Sequence, residues 1–300
     1  MPETVKNCLL CNSAMNKPFD SRTFAGKVVE NQICQSCGFV FQSPRMTSQE
    51  AETFYASEYR NLYQGSSGPN PKDLRMQQLR ADSLAAYAGR QIKHVSRHLD
   101  IGCSAGSLMQ SMSHTFQCET VGIEPGEAYR QYARESGLKI YASLQEIQSA
   151  DEEKFDLVTM SHVLEHLPDP RTYLEHLKEE ILASDGCLLV EVPNLYAHDS
   201  FEIAHLSSFS IHTLCQLLRK AGYEMIAYHK HGYPRSKVIP YFLTALCCPS
   251  TLSSQNKVKP ERFVSIKRIL GLFRRRVISR LFPALAWKPL DVEKGQVLKS

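Results

Sequence analysis

Gly102-Cys103-Ser104-Ala105-Gly106 is a run of five small residues directly after His98-Leu99-Asp100-Ile101. Glu124 follows eighteen residues past Gly106, in Val121-Gly122-Ile123-Glu124-Pro125-Gly126. An acid about 20 positions beyond a glycine-rich turn suits a ribose, because its oxygens accept hydrogen bonds from both hydroxyls. Lacking Cβ atoms, Gly102 and Gly106 let the backbone come close to a bound molecule. These residues predict a nucleoside-type ligand without saying which.

Cysteines supply a second constellation. Cys8-x-x-Cys11 and Cys34-x-x-Cys37 each present two thiolates, and two such pairs make a tetrahedral four-cysteine zinc site. The spacer of 22 residues is slightly longer than the usual ~15–20. With every position filled by protein, such a zinc is structural and holds a segment too small to build its own core. Histidines are the third group. His162-x-x-Glu165-His166 offers donors for a metal, or equally a packed helix start. His205 stands just before a stretch containing Leu214 and Leu217, and an imidazole near neutrality suits removal of a proton from a hydroxyl or an acidified carbon.

Positioning these groups requires elements, and the pattern supplies them. Short apolar runs predict strands at 94–101, 119–124, 139–142, 155–160, 187–192 and 223–229, with helices near 104–113, 126–136, 171–182 and 211–221. Such alternation predicts an α/β fold, a mostly parallel sheet with helices on both faces. Ligands in these sheets sit beyond the carboxyl ends of the strands, where Asp100 to Gly106, Glu124 and Met160 to His162 fall. Pro71 opens a further helix to about Ala88, after a Gly- and Ser-rich loop at 64–71. The expected divisions are 1–45, a zinc-ribbon module; 46–90, linker and cap helices; 91–235, the ligand-binding domain; and 236–300, a basic carboxy-terminal extension.

The whole chain carries a net charge of +4, but between Lys257 and Lys288 there are ten Lys or Arg and one acid, Glu261. Phe263, Ile266, Leu270, Phe273, Val277 and Leu281 recur there at three- and four-residue steps. A basic amphipathic helix over 262–282 can lie on an anionic membrane surface, or dock on the core with a solvated basic side. No aromatic-interleaved basic surface accompanies it, so no nucleic-acid partner is expected. The sequence starts without the basic and apolar segments of a signal peptide, and no apolar run is long enough to span a bilayer. The expected location is therefore cytoplasmic, with the inner face of the membrane in reach. Ten cysteines in this setting read as metal ligands or free thiols.

The strings LDIGCSAG, VGIEPG, FDLVTMSHVLEHLPDP and GCLLVEVPN, in that order, resemble the class I S-adenosylmethionine-dependent methyltransferases. The resemblance covers residues 92–228 and implies a Rossmann-like sheet with S-adenosylmethionine as cofactor. It implies that Asp100 orients the turn and the methionine amine. Gly102, Cys103, Ser104, Ala105 and Gly106 would pass against the methionine and ribose, and Glu124 with Pro125 would lie at the ribose. Ser143 would fall near the adenine, and Met160, Ser161 and His162 near the transferable methyl. Cys34 to Tyr59, with Phe54, Tyr55 and Tyr59, resembles the zinc-ribbon start of bacterial sugar and surface-glycan methyltransferases. His205 resembles the catalytic histidine of zinc-ribbon sugar C-methyltransferases, but Ala204 and Glu202 replace that family's glutamate and tyrosine.

These departures favour transfer to oxygen over carbon, with His205 as general base ahead of His162 and His166. The expected acceptor is a small molecule, first a sugar of a nucleotide sugar or surface glycan. A lipophilic phenol of quinone type is the alternative; ubiquinone-type O-methyltransferases resemble the His162 segment, with a glutamate where His162 stands. A catalytically inactive cofactor-binding scaffold is the reading outside enzymes. Pro193-Asn194 lacks the Asn-Pro-Pro-Tyr signature of nitrogen methyltransferases.

Overall fold

The computed structural model describes residues 2–54, 62, 68–199, 201–250 and 257–288. Tyr55, Tyr59, residues 64–67 of the expected loop and residues 289–300 of the extension lie outside the described residues.

Asn16–Phe24 (β1) pairs antiparallel with Lys27–Cys34 (β2) across Ala25 and Gly26. Both turn residues have positive φ, 49° and 77°, the backbone twist that a two-residue hairpin loop favours. Val40–Gln42 (β3) extends this sheet. Its fourth strand comes from far along the chain: the strand at Ser207–Ser208 pairs with β3, Phe41 opposite Ser207 and Val40 opposite Ser208. Ser48–Thr53 (α1) follows, started by the reciprocal Thr47–Glu50 capping box. Phe54 then packs with Val29, Ile203 and Ala204.

Pro71–Gln91 (α2) starts where the Asn70 side chain accepts from the Asp73 amide. Its Ala81, Leu84, Ala85 and Ala88, at three- and four-residue spacing, bury against Leu108, Met112, Leu157 and Leu246. The predicted alternation then follows. In order come Arg97–Ile101 (β4), Ser107–Phe116 (α3), Glu119–Ile123 (β5), Glu127–Glu135 (α4), Lys139–Tyr141 (β6), Leu144–Ser149 (α5), Phe155–Ser161 (β7), Pro170–His176 (α6) and Leu182–Pro193 (β8). After Ser207–Ser208 (β9) come Ile211–Lys220 (α7), Tyr223–His231 (β10) and Phe242–Pro249 (β11). The seven-stranded sheet has the order β10-β11-β8-β7-β4-β5-β6. Strands β4 to β8 run parallel, and β11 is antiparallel to both its neighbours. This is the expected α/β Rossmann-like sheet flanked by helices.

One division needs correction. The sheet does not end at residue 235, because β11 lies between β8 and β10 and belongs to the same layer. Leu243, Ala245, Leu246 and Cys247 are buried, as in a strand covered on both faces, where apolar residues run on instead of alternating. That missing alternation hid the strand in the sequence. Pro240 stands just ahead of it, where a lost N–H costs the ladder nothing.

Val264–Leu281 (α8) and Pro283–Ala286 (α9) close the described chain. Helix α8 docks through its polar side. Arg268 donates to the Leu195 carbonyl and to Asp199 Oδ1, with its guanidinium 4.0 Å from the centre of the Phe201 ring. Gly271 lies against the Tyr196 backbone, where a Cβ would collide with the carbonyl oxygen. No helix among the described residues is long and apolar enough to cross a membrane.

Candidate active site

A cavity of about 930 Å³ opens at the carboxyl ends of the parallel strands. Asp100, Gly102, Cys103, Ser104, Glu124 and Pro125 wall one half. Glu124 directly follows β5 and is buried; the Ser104 amide donates to its Oε2 at 2.9 Å and the Gly126 amide to its Oε1 at 2.8 Å. Asp100 is buried at the end of β4, with Thr159 Oγ1 2.7 Å from its Oδ1 and His98 Nε2 2.8 Å from the same hydroxyl. Burial pushes Asp100 up to about 7, opposed by the Thr159 bond and assisted by the charge of Glu124. Burial likewise lowers His98 to about 3, so it is neutral.

The glycines serve the turn in a way the sequence did not suggest. Gly102 has φ of +74° and a Cβ there would stand 2.6 Å from Val163 Cγ2; Gly106 has φ of +83° and a Cβ would collide with Leu138. Left-handed backbone and close packing on protein require glycine at both positions. Packing against Val163 and Leu138 thus gives these glycines a structural reason beside the one expected from the sequence. Four of the expected contacts do not wall the cavity. Gly106 packs on α4, and the Ala105 amide donates to Gln77 Oε1 at 3.3 Å. Ser143 caps α5 by accepting from the Glu146 amide. Met160 points into the core, because side chains alternate along β7 and only its neighbour Ser161 faces the cavity.

The other half is walled by His162, His166, His198, His205, Arg80 and Phe242. His162 directly follows β7 with φ of +57°, a conformation that side chains other than glycine rarely adopt and that concentrates at functional sites. Its Nδ1 lies 3.2 Å from Glu165 Oε1 and its Nε2 3.4 Å from Glu191 Oε1. Burial and Arg80 lower its proton affinity, but Glu165 and Glu191 outweigh them, and His162 is held above the usual histidine range. Glu191, near the carboxyl end of β8, is 1% exposed. Arg80 Nε is 3.2 Å from its Oε1 and His231 Nε2 is 3.1 Å from its Oε2. Against burial, these partners hold Glu191 well below the usual carboxylate range.

Glu165, His166 and His205 each bring a ligand atom within 4.8 Å of the others. Burial opposes ionisation of Glu165, yet His162, His166 and His205 draw it down to about 2. His166 Nδ1 meets the Ala204 carbonyl at 2.9 Å. The three candidate histidines therefore converge on one chamber around a buried carboxylate. Gln77, Arg80, Glu191 and His198 were not foreseen. Helix α2 gave no signal for the first two, but Glu191 in Leu188-Leu189-Val190-Glu191-Val192 is a charge inside an apolar strand, which is seldom buried without a partner. His198 is lowered to about 3, chiefly by burial and then by neighbouring cations.

The cysteine module bears on the same chamber. Cys8 and Cys37 sulfurs are 3.5 Å apart, as are those of Cys11 and Cys34, and all four lie within 4.8 Å of one another. Thiolates at ~2.3 Å from one tetrahedral zinc stand about 3.8 Å apart, so the set fits zinc. All ten cysteines are free of disulfides. From this module the Gln42 amide donates to the Leu206 carbonyl at 2.9 Å, and the Leu206 amide donates to the Glu165 carbonyl at 2.8 Å. The ribbon is thereby stitched to the loop that carries His205.

A sequence model of the methyltransferase domain matches residues 73–228. A ubiquinone biosynthesis O-methyltransferase of Hahella chejuensis is 36% identical over 100 residues, 31% of this chain and 39% of that protein. Its counterpart in Haemophilus ducreyi is 33% identical over 106 residues, 32% of this chain and 44% of that protein. The chain thus spans about two-fifths of the length of these curated relatives. The structure of Burkholderia thailandensis 1,6-didemethyltoxoflavin-N1-methyltransferase, solved with 1,6-didemethyltoxoflavin and S-adenosylhomocysteine, superposes with a TM-score of 0.55 at 16% identity, covering 78% of this chain and 99% of that one. At that identity the likeness is one of fold. With the family match over half the chain, the strand order and the turn held by Glu124, this chain belongs to the methyltransferase domain family and has the fold of its S-adenosylmethionine-dependent class I members.

Proposed function

We propose that the chain methylates a hydroxyl oxygen of a small-molecule acceptor, with a phenol of quinone-precursor type as the preferred substrate class and His205 as general base. The observation carrying this reading is the single cavity that joins the Glu124 half to the histidine chamber. Bound S-adenosylmethionine would supply an activated methyl group. Glu124 would hold its ribose, Asp100 its amine, and the Gly102–Ser104 backbone its methionine. A bound ammonium favours the ionised form of Asp100, whose burial otherwise resists it.

His162 sits between two carboxylates that favour its charged form, which makes it a poorer candidate to take a proton. His198 is too weakly basic. His205 lies beside the ionised Glu165, which stabilises an imidazolium as it forms. The cations Arg80 and His162 lower the cost of an oxyanion nearby. A phenol near 10 loses its proton to an imidazole near 6.5 at a cost of about 5 kcal/mol. An aliphatic hydroxyl, close to water at about 15.7, costs about 12 kcal/mol. That difference favours the phenol over the sugar first expected. The names of the matched relatives point the same way, and none of those quoted acts on a sugar by name.

The test is transfer of labelled methyl from S-adenosylmethionine to cell extract split into aqueous and lipid phases. Label in an extractable phenolic ether supports the reading. Label in a water-soluble sugar nucleotide overturns the acceptor class. In the cofactor half, Glu124→Ala weakens S-adenosylmethionine binding by roughly 1–3 kcal/mol through lost hydrogen bonds, as read by calorimetry. Unchanged affinity would remove Glu124 from the ribose site.

A further inference from the structure

Helix α8 wears its apolar side outward. Ile266 is 55% exposed, Leu270 62%, Phe273 62% and Leu281 63%. The buried positions Val264 and Arg268, with Gly271 and Arg275 after them, form the opposite stripe. At about 100° per residue the exposed apolar residues centre on the side away from the protein. Lys267 and Arg274 then fall along one border of the stripe, and Arg276 and Arg280 along the other. The one acid in the segment, Glu261, is turned inward to Ser210 and pairs with Lys267. The docked side is held by bonds to fixed backbone: Arg268 on the Leu195 carbonyl and Arg275 on the Ala197 carbonyl. Rotation that buried the apolar stripe would break them.

We propose that α8 is a docking helix for an anionic lipid surface, its Ile266, Leu270, Phe273, Val277 and Leu281 immersed at the headgroup level and its bordering cations on lipid phosphates. An apolar stripe edged by cations on both sides is the arrangement that binds a bilayer in its plane. A second copy is a poor match, since it would bring a second set of arginines and no facing carboxylate. The site lies close to the chamber. One short turn beyond α8, Trp287 packs edge-on against Tyr241 at 5.8 Å and lines the cavity. Delivery of a lipophilic acceptor at that rim rests on the proposed function; docking itself rests on α8 alone.

The test is flotation of the full chain with phosphatidylcholine vesicles, with and without phosphatidylglycerol. The wild type should float with the anionic vesicles and be released as salt rises to about 0.5 M. The double variant Leu270→Glu, Phe273→Glu should lose at least about tenfold in vesicle affinity while calorimetry shows normal S-adenosylmethionine binding. Wild type that stays unbound, or a double variant that binds equally, overturns the proposal. Concentration-dependent dimers abolished by the double variant, without vesicle binding, would assign the face to a second copy instead. Because flotation needs no acceptor, failure of methyl transfer leaves this result standing.

Discussion

Replacing His205 by asparagine lowers methyl transfer by roughly 10²–10⁴-fold, the usual contribution of a positioned general base, while S-adenosylmethionine still binds. The side chain lines the histidine half of the cavity, so under the proposed function the loss falls on turnover. A base must be neutral to accept a proton. Wild-type turnover therefore falls in acid. In the asparagine variant that acid limb disappears, and imidazole added to the buffer restores part of the rate. A purely structural role would leave the pH profile unaltered and give no rescue. Full turnover in the variant would move the proton transfer to another group, with His166 next in line because it shares Glu165.

The second large effect belongs to a residue far from the chemistry. Cys34→Ser releases the metal, and wild-type protein carries zinc by elemental analysis where the variant carries none. Structural zinc contributes on the order of 10–16 kcal/mol in small metal-folded peptides, as much as a whole domain's typical margin of about 5–15. The ribbon sheet should therefore melt. Because β9 is paired to β3 and Leu206 hangs between Gln42 and Glu165, the His205 loop loses its brace. Transfer should fall steeply while calorimetry still detects cofactor at the Glu124 turn. Wild type without zinc, or a variant with undiminished transfer, would reject the coupling.

What could be read from the amino acids followed local rules. The turn at Gly102 to Gly106, the acid at Glu124 and the two cysteine pairs are short-range patterns, and each falls within one or two elements. The alternation of apolar runs was enough to predict the parallel strands β4 to β8. Features made by distant pairing were invisible. Strand β11 lacks alternation because both its faces are covered, and β9 is too short to carry a pattern. Arg80 reaches Glu191 from a helix more than a hundred residues earlier, and no spacing rule connects them. The outward stripe of α8 was legible as a stripe, but which side docks depended on Arg268 and Gly271 meeting the 195–199 backbone.

The strand pairing of β3 with β9 also decides where this protein can be cut. A fragment with the limits of the family match, 73–228, would start after the ribbon and stop within β10. At one end it would leave Ser207–Ser208 as an unpaired edge strand with bare amides and carbonyls, a template for aggregation. At the other it would remove β11, exposing the flank of β8 that carries Glu191. The two sheets therefore draw on the sequence from β1 to β11, and the boundaries of the recognisable signature fall well inside those of the architecture.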